Sequence, residues 1–226
     1  MKKFDYTDTI RYLRRSGYYP LNVSKGNNKL QPNDDTAFLI WNLPAVKTCP
    51  FRTPHCEKFC YATKAEKLYT TCLPSRMNNL EEAKKDDFAV NMILTIMIKY
   101  KGMRQNKLVV RIHESGDFFN KAYVAQWLTV MQAFEKNDDI TFIAYTKSFP
   151  YFDGVQLPKN FSLRASVWDD TKREHLQTIW RNDWMIYTAT NEIDKVPTHA
   201  QCRCSDCATC NKCWASKVKE IVCEIH

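Results

Sequence analysis

Three cysteines in the first third of the chain have a spacing that suits metal ligands. Cys56 and Cys60 are four residues apart, so in a helix their side chains would share one face. Cys49 precedes them on a stretch that contains Pro50 and Pro54, which predicts a loop. Three thiols at one loop–helix corner indicate a metal site rather than three unrelated core residues.

A denser group of cysteines lies near the end of the sequence. The last four of its members are each separated by two residues, and the whole group is Cys202, Cys204, Cys207, Cys210 and Cys213. Successive CxxC spacings are close to the run that binds [4Fe–4S] clusters in bacterial ferredoxins, although the last gap there is longer and ends in Cys-Pro. Zinc sites more often use two well-separated CxxC pairs. We therefore predict an iron–sulfur cluster in this segment, with zinc as the alternative.

The number of clustered cysteines limits how they can be arranged. The two groups contain three and five cysteines, which together match the thiolates of two four-cysteine clusters. One cysteine of the later group would then complete the first cluster. The other arrangement is one closed cluster near the end of the chain and a three-cysteine cluster whose open iron binds a substrate or cofactor. The sequence leaves both arrangements open, and Cys72 and Cys223 are expected to be structural.

Polar residues follow two of the predicted strands directly. The carboxyl ends of parallel strands meet at one edge of a sheet, so these side chains are expected to line one crevice. The predicted catalytic residues are His113, Glu114, Asp117 and Lys147, and the predicted cofactor-binding residues are Ser115, Tyr145 and Ser148. Asp117 has the alternative role of capping the next helix.

The elements that must position these residues alternate between strands and helices. Apolar runs predict strands at 37–41, 108–113, 140–145, 161–166, 184–189 and 218–225, and helices are predicted at 80–100 (opened by a capping box of Asn79 and Glu82), 118–135 and 171–181. Most of the strands are continuously apolar, which is typical of strands covered on both faces. We therefore predict an α/β fold with a mostly parallel sheet, open or closed into a partial barrel. Residues 1–197 would form this domain, and residues 198–226 would bind a metal cluster and pack on it.

Composition is that of a soluble globular protein. The 226 residues are 44% hydrophobic and 26% charged, which excludes an intrinsically disordered chain. No apolar run resembles a signal peptide or is long enough to span a bilayer. We expect a cytoplasmic protein without membrane contact, whose ten cysteines stay reduced. The net charge of +8 permits a nucleic acid partner, although the cluster of Arg11, Arg14 and Arg15 favours a solvated helix face.

Five motifs occur in this chain in a recognisable combination: Thr48-Cys49-Pro50, Cys60-Tyr61-Ala62, the stretch 111–117, the stretch 145–148 and Cys213-Trp214. Together they resemble an uncharacterised phage and plasmid family called gene product eighty-eight. The Cys-Tyr-Ala motif also resembles the end of the cluster motif of radical S-adenosylmethionine enzymes, although the spacings between Cys49, Cys56 and Cys60 are longer here. This second resemblance implies a radical-enzyme-like partial (β/α) barrel, with S-adenosylmethionine as a candidate ligand of an open iron.

Two functions from different classes follow. The first is an iron–sulfur protein with two [4Fe–4S] clusters, which performs redox or radical chemistry or transfers electrons at the barrel mouth. Its partners would be an electron donor or a small-molecule substrate. The second is a zinc-stabilised nucleic-acid-binding module without catalysis, which the basic charge and the 13% aromatic content favour. Whether the protein is an enzyme stays open at this point.

Overall fold

A parallel sheet forms the centre of the protein. The computed structural model describes residues 7–15, 17–202, 206–215 and 218–224. Seven strands pair in parallel in the order β1-β2-β3-β4-β5-β7-β6, and the sheet curls into a half-barrel. The strands are β1 (Thr36–Trp41), β2 (Lys107–Ile112), β3 (Ile140–Thr146), β4 (Phe161–Val167), β5 (Met185–Thr190), β6 (Gln201–Cys202) and β7 (Glu220–Glu224). The prediction of an α/β fold with a parallel, partly closed sheet is confirmed.

Helices connect most of the strands. They are α1 (Thr7–Arg15), α2 (Pro54–Lys58), α3 (Tyr61–Leu68), α4 (Cys72–Ala83), α5 (Phe88–Lys101), α6 (Lys121–Ala133), α7 (Arg173–Arg181), α8 (Cys207–Cys210) and α9 (Lys212–Ala215), with 3₁₀ turns at Phe149–Phe152 and Ile193–Lys195. The described helices include none that is long and apolar enough to cross a membrane.

The predicted helix at 80–100 is two helices. α4 ends at Ala83 and α5 begins at Phe88, after the polar stretch 84–87. The predicted capping box is wrong, because Asn79 lies inside α4 and is buried there. Its amide nitrogen instead donates to the carbonyl oxygens of Asn22 (3.2 Å) and Asn42 (3.0 Å), which ties α4 to the loop after β1.

The main core lies between one face of the sheet and α4, α5 and α6. Alternate residues of β1 to β4 supply the sheet side, for example Leu39, Val110 and Phe142, and they pack against helix residues such as Met92 and Trp127. All of these residues are less than 3% exposed. Burial of this much apolar surface is the dominant favourable term in folding, so the four central strands form a rigid base for the loops at their carboxyl ends.

The opposite face of the sheet, which we call the inner face, carries Phe38 and Ile40 of β1, Val109 of β2 and Ile143 of β3. Residues of the cysteine-rich segment cover it, with Ala208 buried among these side chains and Cys207, Cys213 and Trp214 packed beside them. The ring of Trp214 meets that of Phe38 edge-on at 5.9 Å. The segment 206–215 is therefore packed into the half-barrel.

A buried arginine fastens this segment to the sheet. Arg164 of β4 is fully enclosed, and its three nitrogens donate to the carbonyl oxygens of Cys213 (3.0 Å), Val218 (3.0 Å) and Lys212 (3.1 Å). The hydroxyl of Ser162 donates to the same Cys213 oxygen at 2.8 Å. Side chains of β4 thus satisfy backbone groups of a segment that has few backbone bonds of its own.

Candidate metal centres and the strand-end site

The first cysteine group lies at the carboxyl end of β1. Cys49 is in the loop after the strand, Cys56 is in α2, and Cys60 is the residue that caps the start of α3. All three are partly buried free thiols. The prediction that Cys56 and Cys60 share one helix face is wrong, because α2 ends at Lys58 and a new helix begins after Cys60.

A cap and a proline fix the short helix α2. The Thr53 hydroxyl accepts from the Cys56 backbone nitrogen at 3.2 Å, and Pro54 occupies the first turn. Both features stabilise a helix start: the Thr53 hydroxyl accepts from one of the first backbone N–H groups, and proline has no N–H group that would need an acceptor. The position of Cys56 is therefore determined by local sequence.

A close contact between two loops positions Cys49. Gly116 has φ +79°, and a Cβ atom there would lie 2.5 Å from Thr48 Oγ1 and 2.6 Å from Leu43 Cβ. Ser115 and Leu43 also exchange hydrogen bonds, from the serine hydroxyl to the Leu43 oxygen and from the Leu43 nitrogen to the Ser115 oxygen, both at 2.9 Å. The hydroxyl of Ser115, a predicted cofactor-binding group, is thus buried and used in this junction.

The three thiols influence one another electrostatically. Burial raises the pKa of the Cys49 thiol, and the Asp117 carboxylate and the other two thiols raise it further. Burial likewise raises the pKa of Cys56, whereas the nearby Lys147 ammonium lowers it. Asp117 and Lys147, two of the predicted catalytic residues, therefore act on the first cysteine group, although among the described residues its three sulfur atoms do not all lie within 4.8 Å of one another.

Asp117 organises the end of β3. Its carboxylate accepts from the backbone nitrogens of Phe118 (2.8 Å), Lys147 (2.9 Å) and Ser148 (3.1 Å) and from the hydroxyl of Thr146. Burial raises the pKa of Asp117, and these hydrogen bonds act against the rise. The alternative prediction that Asp117 caps the next helix is wrong, because the Asn120 side chain caps α6 by accepting from the Tyr123 nitrogen.

Lys147 is a buried cation beside the thiols. Its side chain is buried, its Nζ donates to the Ser166 oxygen at 3.1 Å, and it lies 5.6 Å from the centre of the Trp168 ring. Burial lowers the pKa of Lys147, and the neighbouring Cys56 thiol and Asp117 carboxylate oppose this. In the part of the chain that the structure describes, no carboxylate forms an ion pair with it.

His113 faces the helices and not the cysteines. It is 3% exposed, its Nε2 lies 3.0 Å from the Tyr123 hydroxyl, and its ring meets Phe118 at 4.7 Å. A φ of 64° turns the side chain in this direction. Burial lowers the pKa of His113 to about 3, so it is neutral near pH 7. This position suits a structural role better than the predicted catalytic one.

Glu114 follows the end of β2, and two asparagine side chains hold its carboxylate. Its Oε1 accepts from Asn27 at 2.7 Å and its Oε2 from Asn42 at 3.4 Å. The Tyr61 hydroxyl donates to its backbone oxygen. Glu114 is half-buried, and these hydrogen bonds fix the orientation of its carboxylate.

The two remaining predicted cofactor-binding residues differ in position. Ser148 is fully buried, and its hydroxyl has no hydrogen-bond partner. Tyr145 is on the inner face, packed edge-on against Tyr187 with the ring centres 4.6 Å apart, and belongs to the cluster that includes Cys207 and Cys213. Tyr145 therefore contacts the later cysteine group rather than the first.

The later cysteine group lies on two one-turn helices and a strand. Cys207 and Cys210 are the ends of α8, Cys213 is in α9 and Cys202 is in β6. Burial raises the pKa of Cys207 to about 11, and the thiols of Cys213, Cys202 and Cys210 contribute to the rise. The thiols of these four predicted ligands thus act on one another electrostatically, although no three of them lie within 4.8 Å of one another in the described structure; Cys204 lies outside the described residues.

Local sequence explains the compact path of this segment. Asp206 caps α8, with its Oδ1 accepting from the nitrogens of Ala208 (2.9 Å) and Thr209 (3.3 Å). Asn211 then takes a left-handed conformation with φ 44°, which turns the chain between α8 and α9. Asparagine tolerates that conformation better than most residues, so the turn returns Cys213 toward Cys207 and Cys210.

Cys223 is buried, as expected for a structural residue. It lies on β7 in register with Cys202 on the adjacent strand β6, and its sulfur accepts from the Tyr187 hydroxyl at 2.8 Å. Cys72 begins α4 and is partly buried. Sequence reasoning treated both thiols as separate from the metal ligands.

One group of potential ligands escaped the sequence analysis. One ligand atom each of His55, Asp169 and Asp170 lies within 4.8 Å of the others. His55 Nδ1 contacts the Asp169 carboxylate, and Asp170 Oδ2 accepts from the backbone nitrogen of His55 at 2.8 Å. These contacts hold the loop after β4 against α2. The pair of acidic residues after β4 was the available signal.

Comparison with known proteins identifies relatives for most of the chain. The sequence profile of the Gene product 88 family matches residues 21–216. The chain is 32% identical over 105 residues to the Gene 88 protein of Mycobacterium phage L5 (44% of this chain, 43% of the relative) and 33% identical over 105 residues to that of Mycobacterium phage D29 (44% and 42%). The alignments therefore span less than half of either relative. No solved structure matches. Since the family profile covers well over half of the sequence, this chain belongs to the Gene product 88 family.

Proposed function

We propose that this protein is an iron–sulfur protein with two clusters, one on each cysteine group. Cys49, Cys56 and Cys60 would hold the first cluster at the carboxyl ends of the strands. Four of the five cysteines of the later group (202, 204, 207, 210 and 213) would hold the second on the inner face, and the fifth would complete the first. The clusters would supply one-electron transfer, and the protein would position a substrate or an electron partner beside them.

The observation that carries the proposal is a buried cation beside each cysteine group. Lys147 lies next to the first group, and its nearest carboxylate, Asp117, is already engaged by backbone and hydroxyl donors. Arg164 lies next to the second group and donates only to carbonyl oxygens. A buried charge without a counter-ion is expensive, and a thiolate-bound cluster, which is anionic, would balance it.

The donor atoms support the same proposal. Thiolates are soft ligands that select iron–sulfur clusters, zinc or copper(I). The raised pKa values of Cys49, Cys56, Cys207 and Cys213 mean that these thiols are protonated without a metal. Metal binding would deprotonate them and place negative charge beside Lys147 and Arg164. The successive CxxC spacings of the later group favour iron–sulfur over zinc.

Metal analysis tests the proposal directly. After anaerobic purification or reconstitution, we expect about eight iron and eight sulfide per chain, with the broad visible absorption of such clusters. Cys56→Ser and Cys210→Ser should each remove about half of the iron. Cys72→Ser, in α4, serves as the matched control and should remove none. Stoichiometric zinc without iron would refute the proposal and favour the zinc-stabilised nucleic-acid module.

A reaction at the carboxyl ends of the strands would use the side chains that lie near the first cysteine group. Glu114 and Lys147 are the predicted catalytic residues that would contact a substrate there, and Tyr145 is on the inner face. A radical-enzyme-like reaction would additionally need an open iron that binds S-adenosylmethionine. We favour a closed first cluster, because the eight clustered cysteines match two complete ligand sets.

A further inference from the structure

A partly buried arginine on the inner face has no hydrogen-bond or ion-pair partner among the described residues. Arg111 is on β2, where it alternates with Val109 and pairs in register with Ile40 and Ile143. Its guanidinium carbon lies 5.0 Å from the centre of the Tyr145 ring. Its Nε is enclosed and has no hydrogen-bond partner. Within the described residues, no carboxylate forms an ion pair with it.

Arg164 on the same face shows what a structural arginine does in this fold. Its Nε, Nη1 and Nη2 all donate to backbone carbonyl oxygens of the cysteine-rich segment. A guanidinium has five N–H donors in a planar fork, and Arg164 uses that fork to hold the chain. Arg111 makes no comparable contact, so fastening the segment does not account for it.

The nearest acidic side chain is already occupied. Glu114 acts on Arg111 through space, but its two oxygens accept from Asn27 and Asn42. The other ionisable groups that act on Arg111 are the tyrosines Tyr61, Tyr145 and Tyr187. A buried donor without an acceptor is costly, and a functional role such as ion binding is one explanation for such a group.

The position of Arg111 relates it to both cysteine groups. Its charge acts on Cys207 of the later group, and its neighbour Tyr61 directly follows Cys60 of the first. A molecule bound to Arg111 would lie on the inner face beside Tyr145, which packs in the same cluster as Cys207 and Cys213.

We propose that Arg111 binds the anionic group, a carboxylate or a phosphate, of a small-molecule substrate on the inner face. Both groups match the planar fork of a guanidinium through paired hydrogen bonds. The tyrosine rings would enclose the rest of the molecule. The identification of this molecule as the substrate rests on the proposed iron–sulfur function. Anion binding by Arg111 is independent of that function.

Isothermal titration calorimetry of the full chain, purified anaerobically, tests the proposal with inorganic phosphate and acetate as separate probes. We expect saturable binding of at least one probe. Arg111→Met should abolish it, and Arg111→Lys, which keeps the charge but not the fork, should weaken it about tenfold. Arg181→Met removes an exposed arginine and should bind like the unmodified protein. Binding of phosphate alone or acetate alone would identify the anionic group.

Two results would overturn the inference: no saturable binding of either probe, or unchanged binding in folded Arg111→Met protein. Circular dichroism checks folding, and Arg111→Lys keeps the test valid if Arg111→Met does not fold. Iron and sulfide content separates the two proposals. A chain without iron that binds anions through Arg111 refutes only the iron–sulfur function, and an iron-loaded chain that binds neither probe refutes only this inference.

Discussion

Acidification should destabilise the protein through His113. Its pKa is lowered to about 3 by burial, whereas an unfolded histidine has a pKa of about 6.5. Between these values the unfolded chain binds a proton that the folded chain does not, so the free energy of unfolding decreases as pH falls from about 6.5 toward 3. When the pH falls from 8 to 5, it passes about 1.5 units below the pKa of the unfolded histidine, while the folded histidine stays neutral. The free energy of unfolding should therefore decrease by about 2 kcal/mol over this interval.

The contacts of His113 explain why the folded state resists protonation. Its Nε2 is beside the Tyr123 hydroxyl, and its Nδ1 is enclosed without a partner. The ring otherwise contacts aromatic side chains, Phe118 among them. A charged imidazolium would lose its hydration there without gaining a carboxylate.

Urea unfolding at pH 8 and pH 5 measures the effect. We expect the unmodified protein to lose about 2 kcal/mol more than His113→Asn over this interval. Asparagine tolerates the positive φ at this position, and the comparison uses the pH difference rather than absolute stability. His199→Asn, at an exposed site, is the control and should behave like the unmodified protein. Equal losses in all three proteins, or an NMR signal of His113 that titrates near pH 6.5, would refute the reasoning.

Three further predictions concern the positions of the two cysteine groups. Gly116→Ala should lower the free energy of unfolding by about 1–3 kcal/mol, because a Cβ would collide with Thr48 and Leu43 at a positive φ; urea unfolding measures it, and an unchanged midpoint would contradict the close contact. Arg164→Met should cost about 3 kcal/mol or more and increase hydrogen exchange in residues 206–215, because the carbonyl oxygens of Lys212 and Val218 each lose a donor and that of Cys213 keeps only the Ser162 hydroxyl. Exchange at the unmodified rate would argue against this role of Arg164. Lys147→Met should make the reduction potential of the proposed first cluster more negative, since a nearby cation stabilises the reduced form; a voltammetric potential that stays the same or rises would place Lys147 away from that cluster.

The strands were predictable because their sequence signal is strong and local. β1 and β3 are continuous apolar runs, and they are buried on both faces by helices on one side and the cysteine-rich segment on the other. The two cysteine groups can be recognised in the sequence because ligand spacing is a property of short stretches, and their role as metal ligands stays a prediction. The break between α4 and α5 was missed, because the polar residues 84–87 also fit the outer face of one long helix.

The side-chain directions at the strand ends were not predictable. His113 and Glu114 are adjacent in sequence. The positive φ of His113 places its side chain in the core, whereas the Glu114 side chain is half-buried and accepts from Asn27. In the sequence, Arg111 and Arg164 look like ordinary strand residues. They differ only in the groups that their guanidinium groups contact in the folded protein. These features depend on contacts between residues far apart in sequence.

The strand order has a consequence for how the later cysteine group is assembled. β7 lies between β5 and β6, although β6 precedes it in the sequence. β6 can therefore join the sheet only after β7 has paired with β5, and the cysteines between the two strands are enclosed by that same step. The entropy of closing this loop is lost when the final strand is inserted. Binding of the proposed second cluster should therefore require a complete sheet, and pairing of β7 with β5 would be the step that precedes it.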